Sequence, residues 1–390
     1  MAFYIRGSVF HPCRCRIDFY CLDMWKILLS GIPVLTREIG SWTNRVSHLQ
    51  FNSNFFDFIV SPDKHEAAYS LYSRKRKARL PAFWRFNDLR NKLKFRDYTK
   101  KIDLIIARSR AEGVDSCVWI VIDDLGLLYA THKHLKGKGL RKKHKIVFSY
   151  HGFELVLEQY NEIVADKVLF LTESGYQETV NKVSVFPSLV GIVGNGVDPQ
   201  LFHPISPEEK LLQKELNHIP GGKTVISWLS NNRPKKGLHL FEKIKENLVE
   251  KYPDLFFLII GTDRVHRDEC SWYLGKMPNF ELAKYLQISD FYFFTTLCQE
   301  GFGLSLIEAL KCGNICLASK IGGVPEVLKN GELGFLVENP HIVKSWLYVF
   351  EIALREKFKY QTEEWCRTVK ESYNYEDWAR KFTAEIGNIF

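Results

Sequence analysis

The sequence predicts an α/β protein made of two parallel-sheet, Rossmann-like domains facing each other across a cleft, and three observations predict it. Short apolar runs alternate with longer amphipathic stretches along the chain, the pattern of parallel strands covered by helices. The 390 residues exceed one ordinary core and suit two domains. Between Pro187 and Pro207 a cluster of Gly194, Asn195, Gly196, Pro199 and Pro204 interrupts the chain near its middle.

In the first half the expected strands are Phe3–Ile5, Pro33–Thr36, Phe56–Val60, Val118–Ile122, Lys145–Ser149 and Lys167–Thr172. In the second they are Val190–Val193, Thr224–Trp228, Leu255–Ile260, Phe291–Thr295, Ile315–Ala318 and Gly334–Val337. The expected domains are residues 1–188 and 189–365, with 366–390 forming C-terminal helix. Ligands of such folds sit at the carboxyl ends of the strands, so the cleft is the place to look for a site.

Composition narrows the class. Hydrophobic residues at 46% and charged residues at 25% are ordinary for a globular protein, which excludes disorder and coiled coil. The longest apolar runs, such as Leu255–Ile260 and Phe291–Phe294, are too short to span a bilayer and read as buried strands. Met1 to Arg16 lacks the order of a signal peptide, and the nine cysteines are odd in number and scattered. Both features predict a cytoplasmic protein with reduced thiols. Cys13 and Cys15 form a CxC without the further ligands a tetrahedral site needs, so no metal is expected.

The net charge of +9 is unevenly placed. Basic residues crowd Arg74–Lys101 and Lys133–Lys145, both in the first half. Such runs suit a solvated face or an anionic membrane surface. Phe83, Trp84, Phe86, Phe95 and Tyr98 lie among the charges, as in an interfacial segment. No RNA- or DNA-binding motif accompanies them, so no nucleic-acid partner is expected.

The chemistry concentrates at Cys298–Glu326. An apolar strand leads to Glu300, Gly301, Phe302 and Gly303, and a helical pattern runs from Leu304 to Lys311. The glycines let the backbone approach a ligand closely, and the N–H groups opening the helix favour an anion such as phosphate. Glu308 lies on that helix; a carboxylate accepts two parallel hydrogen bonds and so suits a vicinal diol such as ribose.

This segment resembles the retaining GT-B glycosyltransferases of family 4, the glycosyl transferases group 1. Their two glutamates, separated by seven residues, stand here as Glu300 and Glu308 within EGFGLSLIEA. Cys312 to Ser319 and Gly322, Gly323, Val324, Pro325, Glu326 are similar to the family's next motif, with Asn314 or Ile315 where a Pro is usual. NGVDPQLFHP, Asn195–Pro204, resembles the linker motif, and SNNRPKKG, Ser230–Gly237, resembles the basic loop that follows. The resemblance implies that Lys236 and an arginine hold the donor diphosphate. Asn231 occupies the commoner arginine position, and Arg233 the variant one, on which the expectation falls. By the same resemblance Gly275 and Met277 lie near the donor base, and His151 of HGFE sits beside the donor sugar. Gly301, Phe302, Gly303, Leu304 and Glu308 then form the nucleotide-sugar site. The adjacent Asp123 and Asp124 are not taken as a metal motif. The first-strand Gly-Gly loop of the family is reduced to Gly7 beside Ser8.

The resemblance implies GT-B architecture, with the last helix crossing back to the first, acceptor-side domain. It implies transfer with retention from a nucleotide-diphosphate-sugar to a glycan or lipid-linked acceptor, without cofactor or metal. The protein would act by placement and charge stabilisation. Two other readings are a sugar-nucleotide epimerase or phosphorylase on the same architecture, and a non-catalytic membrane- or nucleic-acid-binding protein.

Overall fold

The computed structural model describes residues 24–35, 41–76, 87–156, 163–183, 185–187 and 189–389. Among the described residues the first sheet has seven strands in the order β3-β2-β1-β4-β5-β6-β7, all paired in parallel. They are β1 (Met24–Ser30), β2 (Phe58–Ser61), β3 (Ser70–Tyr72), β4 (Ser116–Ile122), β5 (His144–Ser149), β6 (Lys167–Phe170) and β7 (Leu189–Ile192). The second sheet runs β10-β11-β9-β8-β12-β13-β14. It comprises β8 (Thr224–Leu229), β9 (Leu255–Ile260), β10 (Val265–Arg267), β11 (Ser271–Gly275), β12 (Phe291–Phe294), β13 (Ile315–Ser319) and β14 (Phe335–Val337). Among the described residues only β10 and β11 pair antiparallel.

Strands buried on both faces read as near-continuous apolar runs. In β9, LFFLII, every residue is buried; in β4, SCVWIVI, all but the first are. Neighbouring side chains of a strand point to opposite faces. Ile27 and Leu29 of β1 therefore join Trp119, Phe148 and Phe170 in one core, while Leu28 joins Val118, Ile120 and Val147 in another. The helix Tyr375–Gly387 completes the second of these cores with Tyr375, Trp378, Phe382 and Ile386. The helix Glu363–Glu371 just before it packs Trp365 and Val369 into the second domain. The chain thus passes between the domains twice, after β7 and again near Ser372. The two passages touch: Val197 N donates to Tyr373 O at 2.9 Å and Tyr375 N donates to Val197 O at 3.0 Å.

Several expectations need correction. Pro33–Leu35 is not a strand, and the sequence pattern missed β1, which lies inside the sheet between β2 and β4. The strand expected to open the second domain, Val190–Val193, is β7, which pairs with β6 and closes the first sheet. Its apolar run is continuous with the first domain, and the Gly-Asn-Gly break comes after it. β3, β10 and β11 were also missed; they are short or interrupted by polar residues. The expected strand Phe3–Ile5, the Gly7 loop and the Cys13–Cys15 pair lie outside the described residues.

The basic stretches are partly neutralised within the first domain. Lys75 pairs with Asp124 at 2.6 Å, Arg76 with Asp97 at 2.6 Å, Lys138 with Asp103 at 2.8 Å and Arg141 with Asp166 at 2.8 Å. Phe95 and Tyr98, expected at an interface, are fully buried core residues. Phe83, Trp84 and Phe86 lie outside the described residues.

Candidate active site

Both sheets change direction of strand order beside their first strands, between β1 and β4 and between β8 and β12. Loops at these switch points diverge and leave a crevice at the carboxyl ends. Here the crevices face one another and form a cavity of about 580 Å³. His151 lines it from the first domain; Arg233, Lys236, Glu300, Phe302, Gly303, Leu304 and Glu308 line it from the second, with Met277 at the edge.

The basic and acidic loops are pinned together. Gly237 has φ 75°, and a Cβ there would meet Thr295 O at 2.0 Å. Thr295 Oγ1 accepts from Trp228 Nε1 at 2.8 Å and donates to the Lys236 and Gly237 carbonyls. Leu297 N donates to Lys235 O at 2.8 Å. This sets Lys236 Nζ 2.5 Å from Glu300 Oε2, which also accepts from Thr296 Oγ1 at 3.3 Å. Arg233 is exposed on the same loop and its N–H bonds Asn231 Oδ1 at 3.3 Å.

Gly303 opens the helix Leu304–Lys311 with φ 88°, a conformation that favours glycine. The N–H groups of Leu304 and Ser305 have no helical acceptor, while those of Leu306 and Ile307 bond Gly303 O, and Leu304 and Ser305 both line the cavity. One turn on, Glu308 is almost fully buried, and burial pushes its carboxyl up to about 7. Gly322 and Gly323 support this loop from below. Gly323 N donates to Glu300 O at 2.8 Å, and a Cβ on Gly322 would strike the Glu300 backbone at 2.6 Å. Glu326, at the end of the same motif, reaches the first domain. It accepts from Glu173 N, Ser174 N and Ser174 Oγ at 2.8–2.9 Å, at the start of the helix Glu173–Val180. Asn314, standing near the usual proline, donates to Leu286 O and Ala309 O and so ties two helices together.

His151 follows β5. Its N–H donates to Asp123 Oδ1 at 3.1 Å, and its Nε2 lies 3.2 Å from Ser149 Oγ. Burial pulls the imidazole down to about 3, helped by the charge of Arg45, so the ring is neutral at ordinary pH. Asp123 and Asp124 have structural partners: Asp123 holds the His151 loop, while Asp124 caps the helix Leu125–Gly137 through Leu127 N and pairs with Lys75.

Two expected residues stand off the cavity wall. Gly301 faces the first domain, where a Cβ would meet His151 O at 2.5 Å and Gly152 O at 2.7 Å. Gly275 ends β11, its carbonyl accepting from Gly261 N at 2.8 Å. Lys276, within the Gly275–Met277 loop expected near the donor base, lines the cavity, as do Arg45, Asn195, Ser230, Asn279 and Ser305, which were not expected. Asn195 and Ser230 belong to the motifs already noted, so position within those motifs was the available signal. Arg45 has no motif; its only mark is burial.

Comparison with known proteins places the second domain. Residues 209–365 match the family model described as Glycosyl transferases group 1. The Saccharomyces cerevisiae phosphatidylinositol N-acetylglucosaminyltransferase GPI3 subunit is 24% identical over 42% of this chain and 38% of its own length. The N-acetyl-alpha-D-glucosaminyl L-malate synthase of Bacillus anthracis is 24% identical over 54% of this chain and 58% of its own. The chain therefore spans about half the length of the curated relatives it matches. A glycosyltransferase from Rickettsia africae superposes with TM-score 0.69 at 17% identity, covering 94% of this chain and 99% of that one. Anabaena HepE, solved with UDP and glucose, superposes with TM-score 0.67 at 14% identity, covering 93% and 100%. The chain thus has the two-domain GT-B fold, and its residues 209–365 match the glycosyl transferases group 1 family.

Proposed function

We propose that the protein is a retaining, metal-independent glycosyltransferase that moves a sugar from a nucleotide-diphosphate-sugar to a glycan or lipid-linked acceptor. One observation carries the reading: a single cavity gathers four cations, Arg45, Arg233, Lys236 and Lys276, with two acids, a helix start and a neutral imidazole from both domains. Glycosyltransferase relatives of both lipid-linked and small acceptors support it.

In this reading the diphosphate lies at the start of the helix Leu304–Lys311, with Arg233 and Lys236 on its oxygens. Lys236 exchanges Glu300 for phosphate, which frees Glu300 to bind hydroxyls of the donor sugar. Glu308 takes the ribose diol. The bond from the anomeric carbon to the leaving phosphate oxygen breaks as the acceptor oxygen bonds to the same face. The acceptor proton passes to the leaving diphosphate, whose growing negative charge the two cations stabilise. His151, neutral, orients the sugar by hydrogen bonding.

The reading also places the protein as a peripheral enzyme at the cytoplasmic face of an anionic membrane. Among the described residues no helix is long and apolar enough to cross a bilayer. Leu89 and Leu93 are exposed beside exposed Lys92, Arg96 and Lys100, the mixture that suits a lipid surface.

A thermal-shift screen of nucleotide sugars identifies the donor, which stabilises the fold by mass action. NMR of the product then reads the anomeric configuration. An inverted product, or a donor that isomerises or is cleaved without acceptor, would sink the proposal.

A further inference from the structure

We propose that Arg45 is the anion-recognition residue on the first domain's side of the cleft, where its guanidinium takes a phosphate or carboxylate oxygen of a bound substrate. The inference rests on reading the cleft as a nucleotide-sugar site. Arg45 lies on the helix Ser41–Ser53 and is 5% exposed. Its Nε and Nη1 are buried with no hydrogen-bond partner, and it joins no ion pair among the described residues. The Trp378 ring lies beside it, 4.6 Å from the guanidinium carbon to the centroid, and Tyr375 and His151 are near enough to feel its charge. Stacking on an indole fixes the guanidinium plane but leaves its N–H edge unused.

Arg45 lines the main cavity and also an adjoining one of about 400 Å³, and Asn279 and Glu308 share both. It therefore stands where the two spaces meet, on the domain opposite Arg233 and Lys236. Burial pulls the group down to about 9, which still leaves it charged at neutral pH. A buried, charged and unpaired group costs stability in the free protein. Such a cost persists where a partner arrives from outside, and the flat donor fork of arginine matches an oxyanion. Two sources supply that chemistry: the donor diphosphate reaching across the cleft, or an acidic group on the acceptor.

Calorimetric titration of the full chain separates them, using UDP, GDP and inorganic phosphate on wild type, Arg45→Gln and Arg45→Lys. We expect Arg45→Gln to lose about tenfold or more in affinity for at least one probe, with Arg45→Lys regaining part. A loss for the nucleotide assigns the diphosphate. An unchanged nucleotide affinity, with phosphate binding to the nucleotide-saturated protein lost, assigns the acceptor's anion. If wild type binds neither nucleotide but binds phosphate through Arg45, the nucleotide-sugar reading fails while the Arg45 assignment stands. Equal binding of every probe by wild type and Arg45→Gln overturns it, as does no binding by wild type.

Thermal melting gives a second readout. Removing an unpaired buried charge leaves the ligand-free melting temperature of Arg45→Met unchanged or higher. A clear fall would mark Arg45 as a structural cation held for Trp378 and would overturn the proposal. Should the variants not fold, the Nε resonance of Arg45 in wild type, titrated with phosphate, decides: a shift supports the site and its absence refutes it.

Discussion

The two walls of the cleft are built on the same plan and differ in how their site residues are held. On the second domain, Lys236 is bonded to Glu300 and Thr295, and Thr296 bonds Glu300, before any ligand arrives. On the first, Arg45 is buried without a hydrogen-bond partner among the described residues, while His151 is half-buried, neutral and bonded to Asp123 and Ser149. A wall that serves one constant chemical group can be preorganised by its own chain. A wall that meets a variable partner holds one unpaired cation, Arg45, in reserve.

The largest test of that contrast is Lys236→Ala. Removing one preorganised charge from a developing anion costs about 10²–10³-fold in rate, so sugar transfer should fall by that order while the circular dichroism is unchanged. Retained turnover would break the assignment of the second wall to the donor.

Next is Lys311→Met, which tests whether the walls are joined through the returning chain. Lys311 is 3% exposed and donates to Val369 O, Lys370 O, Ser372 O and Asn374 Oδ1 at 2.7–3.1 Å. Stripping these acceptors of their cation should cost about 3 kcal/mol, measured by urea unfolding. Little change would show that the crossover is held by the apolar face of the last helix alone.

Gly301→Ala acts at the contact between the walls. Its added methyl must displace the His151 and Gly152 carbonyls, and overpacking of this kind costs about 1–3 kcal/mol. A larger radius of gyration with UDP bound is the expected mark. An unaltered scattering profile would mean that the loop, rather than the domain, yields.

Glu308→Gln sharpens the comparison by pH. In the free protein burial holds the carboxyl near 7, above its ordinary value of 4.5. Its contribution to stability is therefore complete below about pH 4.5 and is lost as pH rises through 7. A diol donates to the ionised form, so UDP affinity should rise from pH 6 to 8 with release of a proton. Calorimetry in buffers of different ionisation enthalpy reads that proton. The variant should bind about tenfold more weakly and without the pH dependence; a wild-type affinity that is flat in pH would remove the diol role.

Much of the second wall was legible because its groups are close in sequence. Glu300, Gly303 and Glu308 share one loop and helix, and the Lys236 loop follows a plain apolar strand. The first wall was not. β1, MWKILLS, starts with three half-buried residues and is short of the unbroken apolar run that betrays β4. Placing the first strand elsewhere also misplaced its loop. The loop after β1 carries Gly31, where a Cβ would meet Asp124 Oδ2 at 2.6 Å. Arg45 sits in SWTNRVSHLQFNS, a mostly polar helix whose Val46 and Leu49 mark its core face but give no sign of a buried cation next to them. Its burial comes from Trp378, near the other end of the chain, and no local pattern contains that information.

The pairing of Val197 with Asn374 has a mechanical consequence. A Cβ on Gly196 would lie 2.4 Å from Asn374 O, so the two connecting strands are in backbone contact. Two tethers fixed side by side act as the leaves of a butt hinge. Shear or twist would have to tear them apart, whereas rotation about the line through both meets little resistance. The jaw can therefore swing along a single arc, and every substrate group on its far side must enter and leave along that same path.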